Sequence, residues 1–314
     1  MTTTILEIID NAPIPTWFKV GGTAARLARP RSIEQLIDAI ELDRYALVLG
    51  DGANLLVADE GIDRLVIDLQ HLDKTEIVGD LVTAQAGARL PSLVNQTAKA
   101  GLAGLHTLAG VPASIGGAVI MNAGGTHGKV SDTLTAVTAV NRSGELVVMN
   151  RKDIPFAYRH SGLDELIIVD AVFKLTEADP DELTQNVKDI MHAKKESQPL
   201  ADRSAGCCFK NPLLKTDLVY EGRVTAKAGK RISAGLVIDR AGCKGLRIGT
   251  AEVSPVHANF ITVDRTEGKA NDVIALIEEV ERRVKAAFNI ELEREVVIWK
   301  SSPVAAGGGG TAQR

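Results

Sequence analysis

ALVLGDGANLLV, residues 46–57, is a short apolar run that ends in Gly50, a turn that carries Gly52, and a second apolar run. An apolar run of this length bounded by glycine predicts a buried strand, followed by a glycine turn and further apolar residues. Glycines at 50 and 52 let backbone approach a ligand closely and leave amide groups free for a phosphate. Leu55 stands where a dinucleotide fingerprint needs its third glycine, so a Rossmann site is not supported. Taken alone, the segment is also what an ordinary turn looks like.

Working outward, Ser32 is a good N-cap for a helix with Ile33, Leu36, Ile37 and Ile40 at helical spacing. LVIDL at 65–69 predicts another strand, and a small α/β unit ends near residue 75. Beyond it Gly79 with Asp80, and Ser143 with Gly144, each divide a hairpin. A helix over about 90–100 stops at Gly101, and ELIIVDAVFKL precedes a polar helix over about 180–196. Pro199 breaks the chain, and the last hundred residues carry the amphipathic NDVIALIEEVERRVKAAF and LEREVVIW, read as a strand. The expected organisation is therefore 1–75, 76–198 and 199–300, with a disordered glycine-rich tail over 301–314.

Length and composition set the frame for these elements. The 314 residues suffice for two or three domains, and a net charge of -4 without long basic clusters argues against nucleic acid as the main partner. The N-terminus, MTTTILEIIDNAPIPTW, lacks the features of a secretory signal, and no run reaches membrane-spanning length, so a cytoplasmic location is expected. Cys207, Cys208 and Cys243 form no disulfide framework and no CxxC pair. The six histidines are scattered, and no metal site is expected.

Three further stretches carry chemistry. AGVPASIGGAVIMNAGG, residues 109–125, is a second glycine-rich segment in an apolar context, fit either for a tight helix start or for lining a planar cofactor. SAGCCFKNP, residues 204–212, places Cys207 beside Lys210 and Asn211; its thiol is a nucleophile, a proton donor or a bystander. Arg159 in FAYRHS and Glu295 in LEREV are single charges that more often serve as surface ion-pair partners.

In this order, TWFKVGGTA, LGDGANLLV, AGVPASIGGAVIMNAG, FAYRHS, SAGCCFKNP, LVIDRAGCKGLRIGTAEVSPVHANFI and LEREV resemble the UDP-N-acetylenolpyruvoylglucosamine reductase family, from about Thr16 to Lys300. The short connection after Arg159 is similar to the family's shorter subtype. The resemblance implies an α+β chain, a two-subdomain FAD-binding fold of the vanillyl-alcohol-oxidase type followed by an α/β substrate domain. It implies non-covalent FAD, NADPH as co-substrate and reduction of a small-molecule enolpyruvyl UDP-sugar, with no obligate protein partner. Gly50, Gly52, Ala53, Asn54, Leu55, Ser114, Gly116, Gly117 and Asn122 would then meet the cofactor. Arg159 would stabilise developing negative charge, Cys207 would stand in for the family's proton-donating serine, and Glu295 would complete the site. Lys210, Asn211 and Asn259 would meet the substrate. Val297 departs from the arginine that many members carry after the glutamate, which bears on substrate affinity. A different oxidase of the same flavin fold, or a binding protein that has lost turnover, are the competing readings.

Overall fold

The computed structural model describes residues 5–301. Met1–Thr4 and most of the tail expected to be disordered, residues 302–314, lie outside the described residues. Contacts divide the chain into two units. One takes residues up to 9, 26–53 and 65–201; the other takes 10–25, 54–64 and the residues from 202 onward.

The first unit is built on a five-stranded antiparallel sheet in the order Leu146–Asn150, Leu134–Val140, Ile167–Lys174, Leu81–Gln85 and Thr75–Val78. Both expected hairpins are present, because Gly79 and Gly144 adopt positive φ at their turns. Ile167–Lys174 is central and buried on most positions, with Phe173 only 1% exposed. Helix α1 (Ile33–Leu42) starts where Ser32 Oγ accepts the Gln35 amide at 3.3 Å, and it buries Leu36, Ala39 and Ile40. Helix α2 (Leu90–Lys99) ends before Gly101, whose φ of +70° continues the chain out of the helix. Helix α3 (Ile115–Ile120) lies on the central strand, and α4 (Pro180–Ser197) packs along α2. Strand Leu47–Leu49 runs parallel to residues 66–68, which delivers Gly50 to the end of a buried pair.

The second unit has its own core around Phe18, Leu56, Phe209, Val237, Ile277 and Val280. Helix α5 (Ala234–Arg240) and the long α6 (Ala270–Phe288) supply the helical layer. On α6 the buried positions Val273, Ile274, Ile277, Val280 and Val284 recur at helical spacing and face a three-stranded sheet of Arg247–Ile248, Ala251–Val253 and Ile261–Val263. Leu55–Val57 pairs in parallel with Val297–Trp299, so a segment near the start of the chain and its last strand form one ribbon. The final strand is shorter than LEREVVIW implies. Only Val297–Trp299 is regular, and residues 291–296 are irregular apart from a single bridge between Phe209 and Arg294.

The chain is therefore α+β. Phe173→Ala should destabilise the protein by roughly 3–5 kcal/mol, because it opens a cavity under the central strand. Val148→Ala, on the exposed edge strand, should stay within about 0.5 kcal/mol. Urea denaturation curves of the two variants compare these values directly.

Candidate functional site

In the first unit the two glycine-rich stretches lie against each other. A Cβ built on Gly50 would overlap Ser114 Oγ, and one built on Gly116 would sit 3.0 Å from the Ala86 side chain. Ser114 caps α3, its Oγ accepting the Gly117 amide at 3.4 Å, while the Ile115 and Gly116 amides donate to Ala88 and Ala86. Gln70 Nε2 holds the Gly50 carbonyl at 3.2 Å, and Arg89 reaches Asp51 at 3.8 Å. Gly52 turns the chain at φ +63°. Bare backbone held at van der Waals contact by absent side chains is the surface that a phosphate-bearing planar cofactor requires, and these residues fit FAD on that ground.

Asn122 does something else with its side chain. It is buried, it donates through Nδ2 to the Ala157 carbonyl at 2.9 Å, and its Oδ1 accepts the Ser131 amide at 3.2 Å. Ala157 closes a turn with His160 (N to O, 2.9 Å) whose middle carries Arg159 at φ +55°. A non-glycine residue in the left-handed region costs on the order of 1–3 kcal/mol and persists only where its surroundings enforce it. The buried Asn122 amide pins one end of this turn, at the Ala157 carbonyl. The Arg159 guanidinium lies 5.2 Å from the Tyr158 ring centroid.

In the second unit the Cys207–Lys210 segment runs between two others. On one side the Cys208 amide donates to the Asn259 carbonyl at 2.8 Å, and Cys207 bridges Phe260. On the other, Lys210 N donates to Glu293 O at 2.8 Å, and Glu295 N and Val296 N both donate to Cys208 O at 2.8 and 3.3 Å. Two successive amides on one carbonyl is the hydrogen-bond pattern of a β-bulge, a device that re-aims a side chain beside a site. Glu295 therefore sits at a bulge, and its carbonyl accepts Asn54 Nδ2 at 2.9 Å.

The other candidate residues are engaged as follows. Asn259 is buried and grips the Phe209 backbone at both ends, accepting its N–H at 3.0 Å and donating to its carbonyl at 2.8 Å. Lys210 Nζ pairs with Glu293 at 2.6 Å, and Asn211 Oδ1 accepts the Ala234 amide at 2.9 Å while its carbonyl accepts the Arg231 guanidinium. Ala53 and Leu55 are buried. Sequence reasoning missed His257, whose Nδ1 accepts the Asn259 amide at 3.2 Å and whose burial holds its pKa below the usual imidazole value. It also lines a cavity of about 280 Å³ with Ser233, Leu236 and Lys244. A histidine two residues from Asn259 was a visible signal, but nothing local distinguished it from the other five. Arg294 likewise carries no local signal, since its partner Glu281 lies on α6, thirteen residues earlier. Among the described residues no group of three or more His, Cys, Asp or Glu is arranged to hold a metal ion, and no helix is long and apolar enough to cross a membrane.

Two stretches of the chain match known families. Residues 24–150 match the FAD binding domain, and residues 198–299 match the C-terminal domain of UDP-N-acetylenolpyruvoylglucosamine reductase. The chain is 35% identical over 301 residues to the reductase of that name from Moorella thermoacetica, covering 94% of each. The chain belongs to the UDP-N-acetylenolpyruvoylglucosamine reductase family. The counterpart from Clostridium botulinum is 35% identical over 90% of this chain and 89% of its own. The crystal structure of the family member from Thermus caldophilus superposes with a TM-score of 0.75 at 36% identity, covering 94% of this chain and 99% of that one.

Two outcomes follow from this geometry. Burial pushes the Cys208 thiol up to about 12, with the nearby Glu295 charge adding to it, so Cys208 stays a neutral thiol through the whole range where alkylation is practical. Iodoacetamide at pH 8, without substrate, should modify Cys207, which is only half-buried, and spare Cys208; peptide mapping should show the label vanish in Cys207→Ser. Gly50→Ala should purify with less flavin than the wild type, and Ser114→Ala in the same chain should restore part of it by removing the obstructing Oγ. The ratio of flavin to protein absorbance measures both.

Proposed function

We propose that this chain reduces the enolpyruvyl double bond of UDP-N-acetylglucosamine enolpyruvate to give UDP-N-acetylmuramate, in the synthesis of peptidoglycan precursors in the cytoplasm. The reading rests chiefly on one observation: the family match extends over 94% of the chain and includes the segments that bring Cys207, Glu295 and Asn259 together. FAD, held without a covalent bond and reduced by NADPH, supplies the hydride. Gly50, Gly52, Ala53, Ser114, Gly116 and Gly117 hold it through backbone, as the tight apposition of their two stretches supports. Asn54 and Leu55 continue that loop, and Asn122 serves it indirectly, by fixing α3 against the turn that bears Arg159.

The roles of the remaining residues follow from charge. Hydride arriving at the terminal vinyl carbon leaves negative charge on the adjacent carbon and carboxylate, and Arg159, fixed in a strained turn, is ready to stabilise it without reorganising. Cys207 delivers the proton to that carbon as a neutral thiol, and Glu295 holds the group being protonated. Lys210, with Asn211 close in sequence, meets the anionic part of the substrate, and binding there exchanges the Glu293 carboxylate for the substrate's own anion. Asn259 acts by keeping Phe209, and with it the Cys207–Lys210 segment, in place.

Anaerobic stopped-flow measurements separate the two half-reactions. Arg159→Ala and Glu295→Ala should leave bleaching of the flavin by NADPH within about twofold of the wild type and slow its reoxidation by the enolpyruvyl UDP-sugar by on the order of a hundredfold or more. Cys207→Ala should behave the same way, while Cys207→Ser should retain turnover with its alkaline limb shifted to higher pH, because a hydroxyl is a far weaker acid than a thiol. Wild-type protein that takes NADPH electrons but passes none to this substrate would instead point to an oxidase of the same fold.

A further inference from the structure

Arg294 precedes Glu295 in sequence and points its charge elsewhere. Its guanidinium grips Glu281 of α6 at two points, Nε to Oε1 at 2.6 Å and Nη2 to Oε2 at 2.7 Å, with Glu278 one turn earlier on the same helix at 4.0 Å. The paired arrangement fixes direction as well as distance, since a planar fork meets a carboxylate in one orientation. Arg294 and Glu281 are both only partly exposed, at 34% and 26% of the side chain. The backbone of Arg294 bridges Phe209, one residue before the bulge at which Glu295 and Val296 share the Cys208 carbonyl.

That placement matters because a bulge does not set its own position. With one extra residue in the segment, the pattern could form one step earlier or later, and each step would turn a different side chain toward Cys207. Residues 291–296 have no regular ladder to hold them; β-structure resumes only at Val297. Beyond the bulge the Asn54 side chain and backbone secure Glu295 O and Val297 N, at 2.9 and 3.0 Å. Before it, Lys210 takes the Glu293 carbonyl with its backbone amide and the Glu293 carboxylate with its ammonium group. Arg294 ties the segment to α6 next to the bulge through a two-point, half-buried contact, whereas the other tie to that helix, Lys285 to Glu291 at 2.7 Å, is exposed and lies four residues before Glu295.

We infer that Arg294 is a positioning residue for the reaction: by clamping the bulged segment to α6 through Glu281, it fixes which residue the bulge presents beside Cys207, and so holds Glu295 in its working place. The inference rests on the role proposed for Glu295 above. Arg294 touches neither cofactor nor substrate in this account, and its effect is confined to the half-reaction in which Glu295 acts.

The test uses flavin-loaded full-length protein and the variants Arg294→Ala, Arg294→Lys, Glu281→Gln and Arg294→Ala with Glu281→Ala. Reoxidation of the reduced flavin by the enolpyruvyl UDP-sugar should slow by on the order of tenfold or more in Arg294→Ala and Glu281→Gln, while reduction by NADPH and flavin content stay near the wild type. Arg294→Lys should recover part of the rate, since an ammonium keeps the ion pair but not the fork. The double variant should be no slower than the worse single one, as expected of two groups acting as a unit. Hydrogen–deuterium exchange, read by mass spectrometry on the peptide that covers residues 292–297, should rise in Arg294→Ala, with peptides from α3 and the central sheet of the first unit unchanged. Wild-type reoxidation in Arg294→Ala, equal slowing of both half-reactions, or unchanged exchange over 292–297 would each overturn the inference. Should Arg294→Ala fold poorly, Glu281→Gln and Arg294→Lys carry the same decision. A Glu295→Ala control distinguishes the two ideas: if it reoxidises normally, the role of Glu295 is wrong; if it is slow while Arg294→Ala is not, the clamp is wrong.

Discussion

One carbonyl oxygen organises the second unit. Cys208 O receives the amides of Glu295 and Val296, and on the opposite side the Cys208 amide is given to Asn259. A buried backbone group that loses its partner costs about 1–3 kcal/mol, so these bonds cannot be exchanged singly for water. The Cys207–Lys210 segment is thereby fixed from both sides, and Asn259 adds two more bonds to Phe209. Cys207 stands at the end of this arrangement, next to a neighbour whose thiol is sealed inside the core. Rigid backbone with one half-exposed thiol suits the proton donor proposed for Cys207, because the surrounding structure and not the side chain bears the cost of holding position.

The first unit solves a different problem by subtraction. Gly50 and Gly116 let backbone reach positions that any side chain would block, and Ser114 fills the space that Gly50 leaves. Close approach is paid for there with conformational freedom in the unfolded chain, which is a general cost of glycine. Arg159 shows the converse: a large charged residue in a left-handed turn whose first carbonyl is held by the buried Asn122 amide. A fixed turn of this kind suits the role proposed for Arg159, since a charge held in place needs little reorganisation to act.

Three asparagines mark where reading from the chain stops. Asn54, Asn122 and Asn259 sit in segments that correctly suggest a cofactor and substrate enzyme, and each would pass for a ligand contact. In the structure their amides serve backbone groups 241, 35 and 50 residues away. An amide that donates and accepts suits either use, and only the fold reveals which partner is within reach. Glu295 illustrates the same limit for backbone. Alternation of apolar and charged residues in LEREVVIW predicts a continuous strand, whereas the bulge depends on hydrogen bonds from Cys208, nearly ninety residues earlier.

What the sequence by itself determined was local and periodic. It set the cap at Ser32, the two hairpins, the apolar faces of α1 and α6, and the glycine stretches whose order along the chain marks the family; each follows from neighbours within a few residues. Tertiary structure alone decided that Leu55–Val57 joins Val297–Trp299, that Asn122 bonds the turn of Arg159, and that Arg294 answers to Glu281 across α6. Those pairings depend on which of many compatible surfaces meet once the cores close. A strand pairs with any edge of suitable register and a carboxylate with any guanidinium, so their partners are chosen by packing rather than by the residues themselves.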